Sequence, residues 1–134
     1  MATITNQAAL SYNGVTTLSN IAVGELVEVL TATKTAADTT YTAGGVKTFV
    51  ISLVNSSAAA LTGLTVTDTL GSYTFSGNTL YPLTYVTGSL LYYVNGALQA
   101  TPTVTATAPL TVTGVTVPAG GSAMLIYTAR VNEY

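Results

Sequence analysis

The sequence contains no cysteine, no histidine and no tryptophan. Without cysteine there are no disulfides and no thiolate metal sites, and without histidine there are no histidine metal ligands and no histidine-based nucleophilic triads. The remaining residues show no paired carboxylates, no phosphate-binding loop and no nucleophile–base motif. We therefore predict a protein that is not an enzyme and that has no cofactor and no metal site.

Charged residues are scarce as well. They make up 6% of the chain, whereas about 25% is usual in soluble domains. The net charge of −2 gives no basic patch for nucleic acid or for an anionic membrane surface. No apolar run is long enough to span a membrane, and the first residues show no signal peptide. So few surface charges suggest either that much of the surface is covered in an assembly or that the protein lies outside the usual cytosol.

The residues that are abundant indicate an all-β protein. Thr, Val and Tyr favour strands, turn signals recur at short intervals, and 134 residues are enough for one domain with a core. This pattern predicts a Greek-key β-sandwich of the Ig-like kind. We expect strands over 26–35, 46–54, 61–70 and 122–131, and shorter strands between the last two.

The segment "ATITNQAALSYNG", residues 2–14, predicts an amphipathic strand that ends at the hairpin signal Asn13-Gly14. Residues 15–23 then form the return arm, and Gly24 is the expected hinge to the rest of the chain. We predict an N-terminal hairpin over 1–24 and a sandwich domain over 25–134. Alternation places one polar residue, Asn6, on the apolar face of the first strand, whose other members are Ala2, Ile4, Ala8, Leu10 and Tyr12.

Four stretches together resemble the DUF11-type Ig-like repeat domains of bacterial and archaeal surface proteins. They are "LTATKTA" (30–36), "YTAGGVKTFVISLVNSSAAALTGLTVTDTLGSYTF" (41–75), "VPAGGSAMLIYTARV" (117–131) and "ITNQAALSY" (4–12). In tandem members of this family, the segment like "ITNQAALSY" closes a domain, whereas here it comes first. The resemblance therefore implies an extracellular or cell- or spore-surface protein whose sandwich, over 26–134, has an open edge.

Two arrangements would satisfy an open edge. The hairpin folds back into its own domain, or it inserts into the next copy of the chain by donor-strand complementation. The low surface charge, the position of Gly24 and the lack of a further segment after Tyr134 favour insertion, with Ile4, Asn6, Ala8, Leu10 and Tyr12 as the donor face. Head-to-tail insertion into identical subunits gives a filament or a surface layer.

The alternative function is a monomeric adhesin or glycan-binding module with its hairpin folded back. Several of the nine tyrosines fall within "YPLTYVTGSLLYYVNG". Aromatic rings can stack on sugars, and Tyr92 and Tyr93 are the candidates for such a platform. Alternate residues of a strand point to opposite faces, however, so neighbouring tyrosines are expected to divide between core and surface.

Three polar residues fall on apolar strand faces: Asn6, Lys34 and Asp68. Buried charges must be paired or neutralised. This trio resembles the isopeptide site of Ig-like surface domains. The resemblance implies that Lys34 attacks Asn6 and that Asp68 carries protons between them. Asp68 would be catalytic only if this bond forms. Burial would then lower the pKa of the lysine and raise that of the acid. In the alternative, structural interpretation, Asp68 accepts backbone hydrogen bonds near its turn and Lys34 reaches solvent.

Overall fold

The computed structural model describes residues 3–25 and 29–133, with only the backbone at Glu25, and all regular structure in these ranges is β. Strands β1–β7 are Thr3–Asn6, Ala9–Tyr12, Val15–Leu18, Ala22–Glu25, Leu30–Ala36, Val46–Asn55 and Leu61–Asp68. Strands β8–β15 are Tyr73–Phe75, Asn78–Leu80, Leu83–Tyr85, Leu91–Val94, Ala97–Gln99, Thr103–Thr107, Leu110–Val117 and Ser122–Val131. Within the described ranges there is no helix that could span a membrane.

Residues 29–133 form two main antiparallel sheets packed face to face, and β8 and β9 form a separate two-stranded hairpin. The large sheet has the order β12-β11-β15-β6-β5, with β10 also paired to β15, and the small sheet has the order β13-β14-β7. The chain therefore crosses between sheets repeatedly before β15 inserts between β6 and β11. This arrangement confirms the predicted all-β, Ig-like sandwich.

The core follows from alternation along the strands. Every second residue of β15 is buried, from Ala123 to Val131. In β14 the buried positions shift from even to odd numbers between Val112 and Val115, where the register with β7 shifts and Gly114 adopts a φ of +78°. A bulge at this glycine therefore keeps both halves of β14 facing the core.

One buried polar side chain ties the two sheets together. Asn55, at the end of β6, is 1% exposed. Its Nδ2 donates to the carbonyl oxygens of Ala59 (2.8 Å) and Pro118 (3.0 Å), and more distantly to that of Val117. Its Oδ1 accepts from the backbone N–H of Ser57 at 3.0 Å. Asn55 thus satisfies backbone groups where the "NSSAAA" turn leaves the large sheet.

The N-terminal residues form a hairpin separate from the sandwich. β1 pairs with β4 and β2 with β3, and the described strands of the hairpin pair only with one another. Asn6 pairs with Ala22, and Ala9 pairs with Leu18. Two residues separate β1 from β2 in the first arm, whereas three separate β3 from β4 in the return arm, so the return arm contains one extra residue. The predicted single strand is therefore two short strands.

Several strand predictions are confirmed within a few residues, and the last one, 122–131, has the bounds of β15. Phe49, Ile51 and Leu53 share the inner face of β6, as expected. The predicted strand over 26–35 begins at Leu30 in the described residues, and positions 26–28 lie outside them. The small hairpin β8–β9 and strand β10 were not foreseen, because their segments have no clear alternation.

Replacing Asn55 with Ala is expected to lower the free energy of unfolding by about 2–3 kcal/mol, because the buried carbonyl of Val117 and three part-buried backbone groups lose their partner. Chemical denaturation followed by circular dichroism measures this change. The matched control is Asn78→Ala, at an exposed position, where the expected change is below about 0.5 kcal/mol. Equal effects at the two positions would contradict the structural role of Asn55.

Candidate functional site: an open groove and its polar cluster

An open groove runs along one side of the sandwich, where both sheets end. Among the described strands, β5 pairs only with β6 and β7 pairs only with β14, so each has one unpaired edge. The space between these edges, here called the edge groove, has a volume of about 510 Å³. Its main apolar lining consists of Leu30, Ala32, Ile51, Leu53, Leu64 and Val66.

The inner face of β5 is left uncovered by the small sheet. Leu30, Ala32 and Lys34 pair with Asn55, Leu53 and Ile51 of β6, so they share the core-facing side of the large sheet. Ala32 is nevertheless exposed and Leu30 is only half-buried. A strand that belongs to the core layer thus faces solvent, and no described strand of the small sheet covers it.

Lys34 and Asp68 meet in this groove. Lys34 Nζ lies 2.6 Å from Asp68 Oδ2, and the two side chains are 38% and 5% exposed. Asp68 Oδ1 accepts a hydrogen bond from the backbone N–H of Leu70 at 2.9 Å, and Oδ2 accepts a short one from the Tyr127 hydroxyl. Lys34 Nζ also lies 4.6 Å from the centre of the Phe49 ring, within the range of a cation–π contact.

These contacts determine the charge state of the cluster. Burial of Asp68 raises its pKa, but hydrogen bonds from Lys34, Tyr127 and Leu70, together with the charge of Lys34, outweigh burial and lower the pKa of Asp68. The expectation of an acid with a raised pKa is therefore wrong for this state of the chain. Burial is the largest cause that raises the pKa of Tyr127, and the hydrogen bond to Asp68 raises it further. The hydroxyl therefore stays protonated and donates to Asp68.

The structure brings together two members of the predicted trio. Lys34 and Asp68 are in contact, as alternation indicated, whereas Asn6 lies in β1 opposite Ala22 and is exposed. The alternative in which these residues have only a structural role also agrees with two observations. Asp68 accepts a backbone hydrogen bond at its turn, and Lys34 is partly exposed. Asn6 is thus not a partner of Lys34 within this arrangement of one chain.

The predicted donor face is an exposed apolar surface. Ile4, Leu10 and Tyr12 are 74%, 70% and 74% exposed, and Asn6 and Ala8 are exposed beside them. Gly24, the predicted hinge, lies inside β4 opposite Ile4. A Cβ at Gly24 would come 3.1 Å from Ile4 Cγ1, so this glycine leaves room for the isoleucine side chain.

Two further members of the cluster are not among the residues predicted from the sequence. Tyr127 faces inward on β15, and its parity with Leu125 was visible in the sequence. A buried tyrosine hydroxyl needs a polar partner, and this requirement was the available signal. The Leu70 N–H could not have been found in this way, because its direction depends on a turn in which Leu70 has a φ of +53°.

The tyrosine pair proposed for glycan stacking is divided between the two faces of β11. Tyr92 is buried, and its hydroxyl donates to the carbonyl of Thr116 at 2.6 Å. Tyr93 lies on the outer face of the large sheet, where it pairs with Met124 of β15. The two rings therefore do not form one platform.

No protein-family model, curated protein or solved structure matches the chain. The resemblance to the DUF11-type domains thus stays a prediction, as do the functions it implies. The described residues contain no cluster of three side chains suited to a metal ion.

The lowered pKa of Asp68 predicts a component of acid instability. Asp68 binds a proton less readily in the folded chain than in the unfolded chain, so its contribution is present above about pH 3.8, the ordinary pKa of aspartate, and is lost as the pH falls through the lower folded value. The stability advantage of the wild type over Asp68→Asn is therefore expected to shrink below that pH.

Denaturant unfolding at a series of pH values measures this difference. Asp38→Asn, which removes an exposed carboxylate, controls for the change in net charge. A stability difference between wild type and Asp68→Asn that stays constant down to pH 2 would contradict the assignment.

Proposed function

We propose that this protein is a structural subunit that polymerises head to tail by inserting its N-terminal hairpin into the edge groove of the next copy. The observation that carries the proposal is that one chain has two incomplete surfaces. They are the exposed apolar face of the hairpin and the uncovered, core-facing edge groove. The product is a filament or a surface layer. Its extracellular or cell- or spore-surface location is part of the proposal and rests on the family resemblance.

The hairpin supplies what the groove lacks. Unpaired strand edges and open core layers favour association with a further strand, which provides ladder hydrogen bonds and apolar side chains together. Ile4, Leu10 and Tyr12 are all at least 70% exposed. Each large apolar side chain contributes roughly 1.5–3 kcal/mol when it is fully buried, so insertion has a large favourable component.

The geometry of such a contact leads to polymers. The hairpin and the groove are different surfaces, so the contact is heterologous and each added copy presents a new free groove and a new free hairpin. A closed ring or an open fibre follows, according to the rotation between copies. The low content of charged residues suits a chain whose surface is largely covered in this way.

Substitution on the two faces of the hairpin tests the proposal. Leu10→Asp is expected to abolish polymers seen by negative-stain microscopy and light scattering, because it would bury an unpaired charge in the groove. Ser11→Asp is the matched control: it adds the same charge to the neighbouring residue on the opposite face and is expected to leave polymers intact. Polymers of unchanged form from Leu10→Asp would contradict hairpin insertion.

A second variant blocks the other surface. Ala32→Arg places a long charged side chain at an exposed position in the groove and is expected to prevent polymerisation, whereas Thr31→Arg on the outer face of β5 is its control. Leu10→Asp keeps a free groove and Ala32→Arg keeps a free hairpin, so their mixture is expected to give a dimer and no longer species. Failure to form this dimer, with both proteins folded, would contradict a head-to-tail contact.

We further propose that an amide bond between Lys34 of one subunit and Asn6 of the next locks the polymer. The favouring observation is the contact between Lys34 Nζ and Asp68 Oδ2 at 2.6 Å, since a lysine beside a carboxylate can give up its proton there. The neutral amine then attacks Asn6 Cγ and a C–N bond forms. Protonated Asp68 gives a proton to Nδ2, the Cγ–Nδ2 bond breaks and ammonia leaves, and the attacking nitrogen returns one proton to Asp68.

The charge state of the open groove explains why the bond would wait for insertion. With the groove open, Asp68 has a lowered pKa and is ionised. An inserted strand excludes water, and desolvation favours transfer of the lysine proton to the carboxylate, because both groups then become neutral. The inserted Asn6 would also meet the amine at short range, which raises the rate through proximity.

Intact-mass measurement and denaturing gels test the cross-link. The wild type is expected to lose one ammonia per bond and to give a ladder that survives boiling in detergent. Lys34→Arg keeps the positive charge beside Asp68 but lacks the nucleophile, so it is expected to form fibres without a ladder. Fibres of the wild type with full calculated mass and no ladder would contradict the bond while leaving strand insertion in place.

The monomeric adhesin with a folded-back hairpin is the less supported function. Every described residue from Thr3 to Val23 is exposed, and the strands of the hairpin pair with one another rather than with β5 or β7. The division of Tyr92 and Tyr93 between two faces also removes the stacking platform on which that function depended.

A further inference from the structure

We infer that the hairpin of one subunit joins the small sheet of the next, with its first arm antiparallel to β7 and Asn6 opposite Asp68. This inference rests on the proposed function and specifies the partner surface of the same groove.

The small sheet is the one that needs further strands. It has three strands, β13-β14-β7, whereas the main path of the large sheet has five. A strand added beyond β5 would extend the large sheet but leave the inner face of β5 open to solvent. A strand added beside β7 would lie over Leu30, Ala32 and Lys34, so it would complete the missing layer above β5.

The two arms of the hairpin differ in what they place on the apolar face. The first arm carries Ile4, Leu10 and Tyr12 there. Their neighbours on the return arm are smaller or polar: Gly24 opposite Ile4, Thr17 opposite Leu10 and Val15 opposite Tyr12. The first arm therefore suits the inner position beside β7, and the return arm suits the outer edge of the completed sheet, which remains partly solvated.

The polar residues determine the register. Asn6 is the polar member of the donor face in the first arm, and Lys34 with Asp68 forms the ion pair of the groove. A shift by two residues would set Asn6 against Val66 and an apolar side chain against Asp68, leaving buried polar groups without partners. A shift by one residue would turn the whole apolar face outward. Matching Asn6 to Asp68 avoids both penalties.

The apolar residues then determine the direction. In the antiparallel direction Ala8 lies opposite Val66 and Leu10 opposite Leu64, so the side chains from Asn6 onwards fill the groove towards Leu30. Of the large apolar donor side chains, Ile4 alone then lies beyond the end of β7. In the parallel direction Ile4 would lie opposite Val66, whereas Leu10 and Tyr12 would extend beyond Asp68, where β7 has already ended. Only the antiparallel direction uses the large apolar side chains of β2 within the edge groove.

Disulfide trapping tests the arrangement, and the absence of native cysteine makes every new thiol unambiguous. The Lys34→Arg background keeps the ion pair and removes amide-linked ladders. In the inferred register, Gln7 lies opposite Thr67 and Ala9 opposite Thr65, on the face that points away from the groove. The double variants Gln7→Cys/Thr67→Cys and Ala9→Cys/Thr65→Cys are expected to give disulfide-linked ladders on oxidation, because directly opposed residues meet the distance for a disulfide.

Recombining the same four positions gives matched controls. Gln7→Cys/Thr65→Cys and Ala9→Cys/Thr67→Cys are each displaced by two residues and are expected to remain monomers on non-reducing denaturing gels. Thr5→Cys/Thr67→Cys would be opposed only in the parallel direction. A ladder from any of these three variants, or none from the two in-register variants, would overturn the inference.

Microscopy of the reduced proteins separates this inference from the proposed function. If the reduced variants form fibres but link in another register, hairpin insertion stands and the arrangement inferred here is wrong. If neither the wild type nor any variant forms polymers, the proposed function is wrong, and the inferred register is then wrong as well.

Discussion

The structure depends on a mismatch between its two sheets at one side of the sandwich. The large sheet continues to β5, whereas the small sheet stops at β7, so the core-facing side of β5 has no layer opposite it. Among the described strands, the backbone groups along one edge of β5 and one edge of β7 have no ladder partners, and Ala32 of β5 is exposed. Open strand edges of this kind favour the addition of a further strand, and the proposed function assigns that place to the exposed hairpin of another copy.

The Lys34–Asp68 pair fits this view of the groove. A charged pair in a core layer would be unusual in a closed sandwich, because desolvation of two ions is costly. Here Lys34 is still partly exposed, and Asp68 is held by Tyr127 and the Leu70 N–H. The cluster is therefore well satisfied while the groove is open. In the proposed polymer it would become a point of polar recognition for an inserted strand that carries one matching polar residue. The Lys34–Asp68 pair would thus select the register of the inserted strand and also supply the lysine that forms the proposed amide bond.

The sequence predicted the fold because alternation and turn signals are local. The bounds of β15, the inner face of β6 and the hairpin signal at Asn13-Gly14 could be recognised from neighbouring residues alone. The inward positions of Lys34 and Asp68 followed from the same period of two. By contrast, β8, β9 and β10 lack clear alternation, and the extra residue in the return arm of the hairpin changes the pairing without changing the pattern of the first arm.

The sequence by itself determined that this chain is a β-sandwich with a separable amphipathic hairpin and two charges on core-facing positions. It could not determine which groups would meet, because contacts between strands distant in the chain depend on sheet order and register. Only the tertiary structure placed Lys34 against Asp68 and brought the Tyr127 hydroxyl to the same carboxylate. It also decided the pKa of Asp68, since burial and hydrogen bonding act in opposite directions and their balance depends on distances that no sequence pattern contains.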